Sequence, residues 1–97
     1  MVIGLLHVRL LVRQSRSLKD KRQVARSILD RLRGQFDVAI SEVATQDDHQ
    51  QLTLGVAAVG PEMEPVRGVL TVVQNVLRSH PVAEYLGGEL TLGSEVV

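Results

Sequence analysis

The densest group of chemically capable side chains is the run Arg13-Gln14-Ser15-Arg16-Ser17-Leu18-Lys19-Asp20-Lys21-Arg22, five cations within ten residues. A helical periodicity begins at Leu18, so these cations meet the amino end of a helix, where unpaired amides and the helix dipole already favour an anion. Further on, at 100° per residue, Lys19, Arg22, Arg26 and Arg33 fall within about 60° of one another and make a stripe roughly 20 Å long beside the apolar face. A stripe of that kind can follow several phosphates of a nucleic-acid backbone. Two blander readings stand beside it: a solvated flank, with Arg26 and Asp30 as a surface pair worth roughly tenths of a kcal/mol, or a patch that docks on an acidic protein surface. The candidate anion or RNA contacts are therefore Arg13, Arg16, Ser17, Lys19, Arg22, Arg26 and Arg33.

Other constellations carry less. Asp47-Asp48-His49 offers three ligand types in succession, but successive residues of a tight turn rarely converge on one ion, so a polar hairpin tip is the expectation and no metal or cofactor is assigned. No catalytic residue is assigned either. The chain has no Gly-rich phosphate loop, no Ser-His-Asp set in a recognisable context and no acid/base carboxylate pair. Single-stranded RNA is usually read by bases stacking on aromatic side chains, and this chain has only Phe36 and Tyr85. Neither falls on the two strands expected at the centre of the sheet, so any nucleic-acid contact should be to backbone or shape and sensitive to salt.

The elements that must position these groups follow from periodicity. Val2, Leu6, Val8, Leu10 and Val12 alternate with Ile3, Leu5, His7, Arg9, Leu11 and Arg13, which predicts a central strand with one wholly apolar face around Gly4. Ser17 precedes a helix starting at Leu18, with Asp20 placed to reach back over its first turn. Val24, Ala25, Ile28, Leu29 and Leu32 form its apolar stripe, and Gly34 is placed to end it in a left-handed conformation. Strands over Val38 to Thr45 and Leu52 to Val59 flank the polar run 46–51 as a hairpin. After Gly60-Pro61, the residues Val66, Val69, Leu70, Val73, Val76 and Leu77 mark a second helix, with Pro65 in its first turn and Ser79-His80-Pro81 ending it. Val82 to Leu92 alternates as a last strand, with a bulge or break at Gly87-Gly88.

The order βαββαβ predicts an α+β, ferredoxin-like split-βαβ sandwich, a four-stranded antiparallel sheet with two helices on one face, as one domain over residues 1–97. The fold also hosts acylphosphatases, which hold phosphate with an arginine in the loop after the first strand. Arg13 and Arg16 occupy that region, but the glycine-rich surroundings of those enzymes are missing and fold analogy alone does not make an enzyme. The free sheet face should carry Ile3, Leu5, His7, Arg9 and Leu11 from the first strand and either Thr53, Gly55, Ala57 and Val59 or their neighbours from the third, with Ile3, Leu5, His7 and Leu11 the candidates for an oligomer contact. It is apolar enough to suggest a homo-oligomer, a dimer first of all.

Composition sets the outer bounds. Lys+Arg 11 balance Asp+Glu 11, yet residues 1–36 carry +7 and residues 37–97 carry −7, a polarity within one domain. With no cysteine there is no disulfide framework, thiolate site or cysteine nucleophile. The apolar stretch Val2 to Val12 is interrupted by His7 and Arg9 and falls short of the roughly 20 residues that span a bilayer. Nor does it have the form of a signal peptide. A cytoplasmic protein with no membrane partner is expected.

Arg16-Ser17-Leu18-Lys19-Asp20-Lys21-Arg22, followed by Phe36-Asp37-Val38-Ala39-Ile40-Ser41-Glu42-Val43 and then Gln46-Asp47, resembles the YlxP-like family of small bacterial proteins, over nearly the whole chain from Val2 through the second helix. Members commonly carry tryptophan where this chain has His49. The resemblance implies a ferredoxin-like fold, a cytoplasmic location and no established enzymatic activity. Members are often encoded beside a translation initiation factor and a ribosome-binding factor, which points towards translation or ribosome maturation. Two expectations follow. The first is a non-enzymatic accessory protein that contacts RNA or the ribosome through the basic helix, with the acidic hairpin and last strand facing away. The second is a homo-oligomeric interaction module, joined through the sheet face or by a basic helix meeting a neighbour's acids.

Overall fold

The computed structural model describes residues 1–94; Glu95, counted above with the acidic half, lies outside them. β1 (Val2–Leu11) is buried at Val2, Gly4, Leu6, Val8 and Leu10 and exposed or half-buried at the residues between, which is the alternation a strand with one covered face requires. It pairs antiparallel with β3 (Gln51–Gly60) on one side and with β4 (Glu84–Ser94) on the other. β2 (Ala39–Ala44) pairs antiparallel with β3, giving the order β2-β3-β1-β4. With α1 (Leu18–Gln35) after β1 and α2 (Met63–Arg78) after β3, the chain has the βαββαβ ferredoxin-like α+β architecture.

One continuous core joins the covered sheet face to both helices. Leu6, Val8, Leu10, Leu52, Leu54 and Val56 meet Ala25, Ile28 and Leu32 from α1 and Val66, Leu70, Val73 and Leu77 from α2. Gly4 lets α2 approach closely: a Cβ there would lie 2.5 Å from Leu70 Cδ1 and 2.7 Å from Val66 Cγ1. Any side chain at this position would force Leu70 and Val66 of α2 to shift.

Three local expectations are corrected. Gly34 does not end α1 in a left-handed turn. The helix runs to Gln35 and stops at Phe36, whose φ of −131° and ψ of 146° send the chain straight towards β2 while its N–H donates to Leu32 O at 2.9 Å. The half-buried Phe36 ring packs against the core, so extended backbone at the cap is set by burial and a glycine turn is not needed. The irregularity in β4 is a bulge, one position before Gly87-Gly88: Arg9 pairs with Gly87 and Leu10 with Tyr85, so Leu86 is the extra residue. Arg26 and Asp30 form no ion pair among the described residues.

Candidate functional site: the basic helix and its surroundings

The start of α1 is capped by its own side chains. Ser17 Oγ accepts the Asp20 N–H at 3.1 Å, and Asp20 Oδ2 accepts the Arg16 N–H at 3.0 Å. Buried Ser15 fixes the preceding loop, its hydroxyl donating to Ser17 O at 3.0 Å. Asp20 therefore already brings negative charge to the positive end of the helix. Ser17 belongs to this cap, and the anion preference of the helix end is met in part from within the chain.

The cations separate into three groups. Lys21 is 0% exposed: its ammonium donates to Thr45 O at 2.6 Å and to Gln51 O at 3.1 Å, with Gln46 O at 3.4 Å, and Glu42 Oε2 lies 3.0 Å away. It shares a helix face with Ala25, Ile28 and Leu32, all buried, and it ties the β2–β3 hairpin to α1. Arg13 and Arg33 are partly committed to the fold. Arg13 Nε meets Glu84 at 2.6 Å, and the hydrogen bond and charge of that carboxylate raise the guanidinium pKa further. Arg33 Nη2 donates to Ile40 O at 2.8 Å, clamping edge strand β2. The third group is Arg16, Lys19, Arg22 and Arg26, all exposed, with no carboxylate within 4.0 Å among the described residues. Between α1 and β2 runs an open groove of about 360 Å³ lined by Arg22, Arg26, Arg33, Asp30 and Glu42 with Ala25 and Leu29.

The acidic hairpin does not face away from this end of the molecule. Val12 N donates to Gln50 O at 2.8 Å and Gln50 Nε2 to Arg13 O at 3.1 Å, so the hairpin tip lies against the basic loop. Arg13, Gln14, Ser15, Arg16, His49 and Gln50 line one polar recess there. The tip is shaped by a bulge between Glu42 and Ala44, by Thr45 at φ 60°, and by Asp48, whose Oδ1 accepts the N–H groups of Gln50 and Gln51 at 2.8 Å each. Those backbone bonds, from Gln51 first and then Gln50, hold the Asp48 carboxyl below the usual range. Its oxygen is thus used in the turn. The last strand also turns towards the basic loop, through the Arg13–Glu84 pair.

The aromatic residues are committed to the helix side. Tyr85 accepts from Gln74 Nε2 at 2.7 Å, and the Arg78 guanidinium stands 5.0 Å over its ring. The opposite, uncovered sheet face carries Ile3, Leu5, His7, Arg9 and Leu11 of β1 as expected, next to Ala39, Ser41 and Val43 of β2 and Gly55, Ala57 and the exposed Val59 of β3. Sequence reasoning missed the role of Lys21. The signal was present: positions 21, 25, 28 and 32 fall on one helical stripe, and a lysine on a buried stripe needs partners.

Fold and site together define a small ferredoxin-like α+β domain with an exposed cationic helix flank. Residues 3–89 match the family described as "Protein of unknown function (DUF503)", and the chain belongs to it. It is 34% identical over 83 residues, 86% of this chain and 90% of the relative, to the Bacillus subtilis (strain 168) protein described as "Uncharacterized protein YlxP". Neither description names an enzymatic activity. Among the described residues no helix is long and apolar enough to cross a membrane.

Proposed function

We propose that this chain is a non-enzymatic cytoplasmic accessory protein that grips RNA or ribosomal RNA by its phosphates through the exposed flank of α1. The observation that carries the reading is a run of exposed cations along one helix. Lys21 and Arg13 are matched to Glu42 and Glu84, while Arg16, Lys19, Arg22 and Arg26 are exposed with no carboxylate within 4.0 Å among the described residues. Lys19 to Arg26 spans about 10 Å of helix axis at 1.5 Å per residue, and Arg16 and Arg33 extend the track at its two ends. The four arginines of this track, Arg16, Arg22, Arg26 and Arg33, suit bidentate contact with phosphate oxygens. Among the described residues the uncovered sheet face presents no Phe, Tyr or Trp, and His7 is the one ring there, so recognition runs chiefly through backbone and shape.

The test is co-sedimentation with purified ribosomal subunits, together with binding of a single-stranded RNA oligonucleotide, for the native chain and for Arg22→Glu/Arg26→Glu. Both positions are exposed, so the variant should keep its fold. The expected result is binding at low salt by the native chain and its loss, tenfold or more in affinity, in the variant. Equal binding by both would overturn the proposal.

A further inference from the structure

We propose that the recess between the β1–α1 loop and the hairpin tip takes the terminal phosphate of an RNA strand, a phosphomonoester, whose following phosphates run along α1; this rests on the RNA reading of that helix. The recess is open, about 820 Å³, and lined by Arg13, Gln14, Ser15, Arg16, His49 and Gln50. It has two walls. The Val12 N–H donates to Gln50 O at 2.8 Å and Gln50 Nε2 to Arg13 O at 3.1 Å, so the hairpin tip stands against the loop and makes a concave site beside a convex helix. The end of a strand can enter such a recess, whereas a continuing strand would have to bend into it and out again.

The lining offers free donors. Arg13 spends Nε on Glu84 and keeps the N–H groups of both Nη atoms. Arg16 uses only its backbone N–H, on Asp20, and its exposed guanidinium makes no hydrogen bond or ion pair among the described residues. The exposed His49 ring adds a further N–H from the hairpin side. No carboxylate lines the recess. Of the acids around it, Glu84 is engaged by Arg13, Asp20 by the helix cap, and Asp48 by the N–H groups of Gln50 and Gln51.

Charge decides which phosphate fits. A phosphate within a strand is a diester with a single negative charge, which one arginine or lysine of the flank can match. A terminal phosphomonoester carries about −1.5 to −2 at neutral pH and three acceptor oxygens. Here two arginines line one recess, each able to present a fork of donors. Arg16 also heads the track through Lys19, Arg22 and Arg26, so an end held in the recess brings the next phosphates to the flank. A free mononucleotide has the same phosphomonoester but no phosphates to follow it.

The experiment is isothermal titration calorimetry with one short single-stranded RNA in three forms, hydroxyl at both ends, 5′-phosphorylated and 3′-phosphorylated, and with adenosine 5′-monophosphate. One phosphorylated form should bind the native chain at least tenfold more tightly than the hydroxyl form, and the mononucleotide at least tenfold more weakly than that phosphorylated form. Arg13→Gln should cut the ratio of phosphorylated to hydroxyl affinity to threefold or less, and His49→Ala should lower it too. The Arg13–Glu84 pair is exposed, with side chains 70% and 48% accessible, so Arg13→Gln should keep its fold; if it does not, His49→Ala carries the test. Arg22→Gln removes the same charge from the flank: it should weaken every RNA and leave the ratio unchanged. Affinities for the three RNAs within threefold of one another overturn the inference and leave the flank reading standing, whereas no binding of any RNA overturns both. A mononucleotide that binds as tightly as the phosphorylated RNA assigns the recess to free nucleotides, and a ratio that falls equally in Arg13→Gln and Arg22→Gln assigns the preference to overall charge; either result overturns the inference.

Discussion

Replacing Lys21 by methionine keeps most of the buried stem and removes the ammonium. The structure sets the size of the effect. Lys21 is fully buried, donates to Thr45 O at 2.6 Å and Gln51 O at 3.1 Å, and faces Glu42, whose side chain is only 17% exposed. Methionine leaves a largely buried carboxylate without its counter-charge and three carbonyls without their shared donor, a change of the class that costs about 3–5 kcal/mol. A domain of this size loses roughly 4–8 °C of Tm per kcal/mol, so Tm should drop by more than about 12 °C. The chain has no tryptophan and a single tyrosine, so the assay is urea unfolding followed by far-ultraviolet circular dichroism. Glu42→Leu gives the sharper test. In the native chain it strands Lys21 and destabilises; after Lys21→Met it removes the stranded carboxylate and should restore part of the loss. A cost below about 1 kcal/mol for Lys21→Met, or additive effects of the two substitutions, would refute the buried ion pair as the hairpin's anchor.

Ser17→Ala should lower stability by about 1 kcal/mol through loss of the cap on the Asp20 N–H, while RNA affinity of the folded protein stays unchanged. His80 supplies a pH dependence. Its Nδ1 accepts the N–H groups of Val82 at 3.2 Å and Ala83 at 3.1 Å, and burial first, then the Arg31 charge, holds the imidazole pKa below its usual value. The unfolded chain, with His near its ordinary value of about 6.5, takes up this proton before the folded chain does. The contribution of His80 is therefore complete above about pH 6.5 and is lost as pH falls from there through the depressed folded value. Urea midpoints between neutral and mildly acidic pH should show this loss, and His80→Gln should remove that component.

The elements were legible because the burial pattern is strict. β1 alternates without interruption, and α2 buries Val66, Leu70, Val73 and Leu77 at helical spacing. The Ser17 and Asp20 cap could also be read, since both partners lie within four residues of each other in the chain. What sequence alone did not yield depends on contacts between distant segments. Lys21 reads as one more member of a basic run until β2 and the hairpin supply three carbonyls and Glu42 around it. Gly34 carries a turn signal, but packing of Phe36 decides where the helix ends. Of the predicted anion contacts, Arg16, Lys19, Arg22 and Arg26 stand exposed along one end and flank of α1, while Ser17 serves the cap and Arg13 and Arg33 also bind parts of the fold.

The most direct measurement is the affinity of the native chain for single-stranded RNA across a salt series. Four phosphate contacts, one each from Arg16, Lys19, Arg22 and Arg26, predict a slope of log affinity against log salt of about −3, and Arg22→Glu/Arg26→Glu should lose both the affinity and the slope. A flat salt dependence, or no binding at the lowest salt, would contradict a phosphate-gripping role for α1.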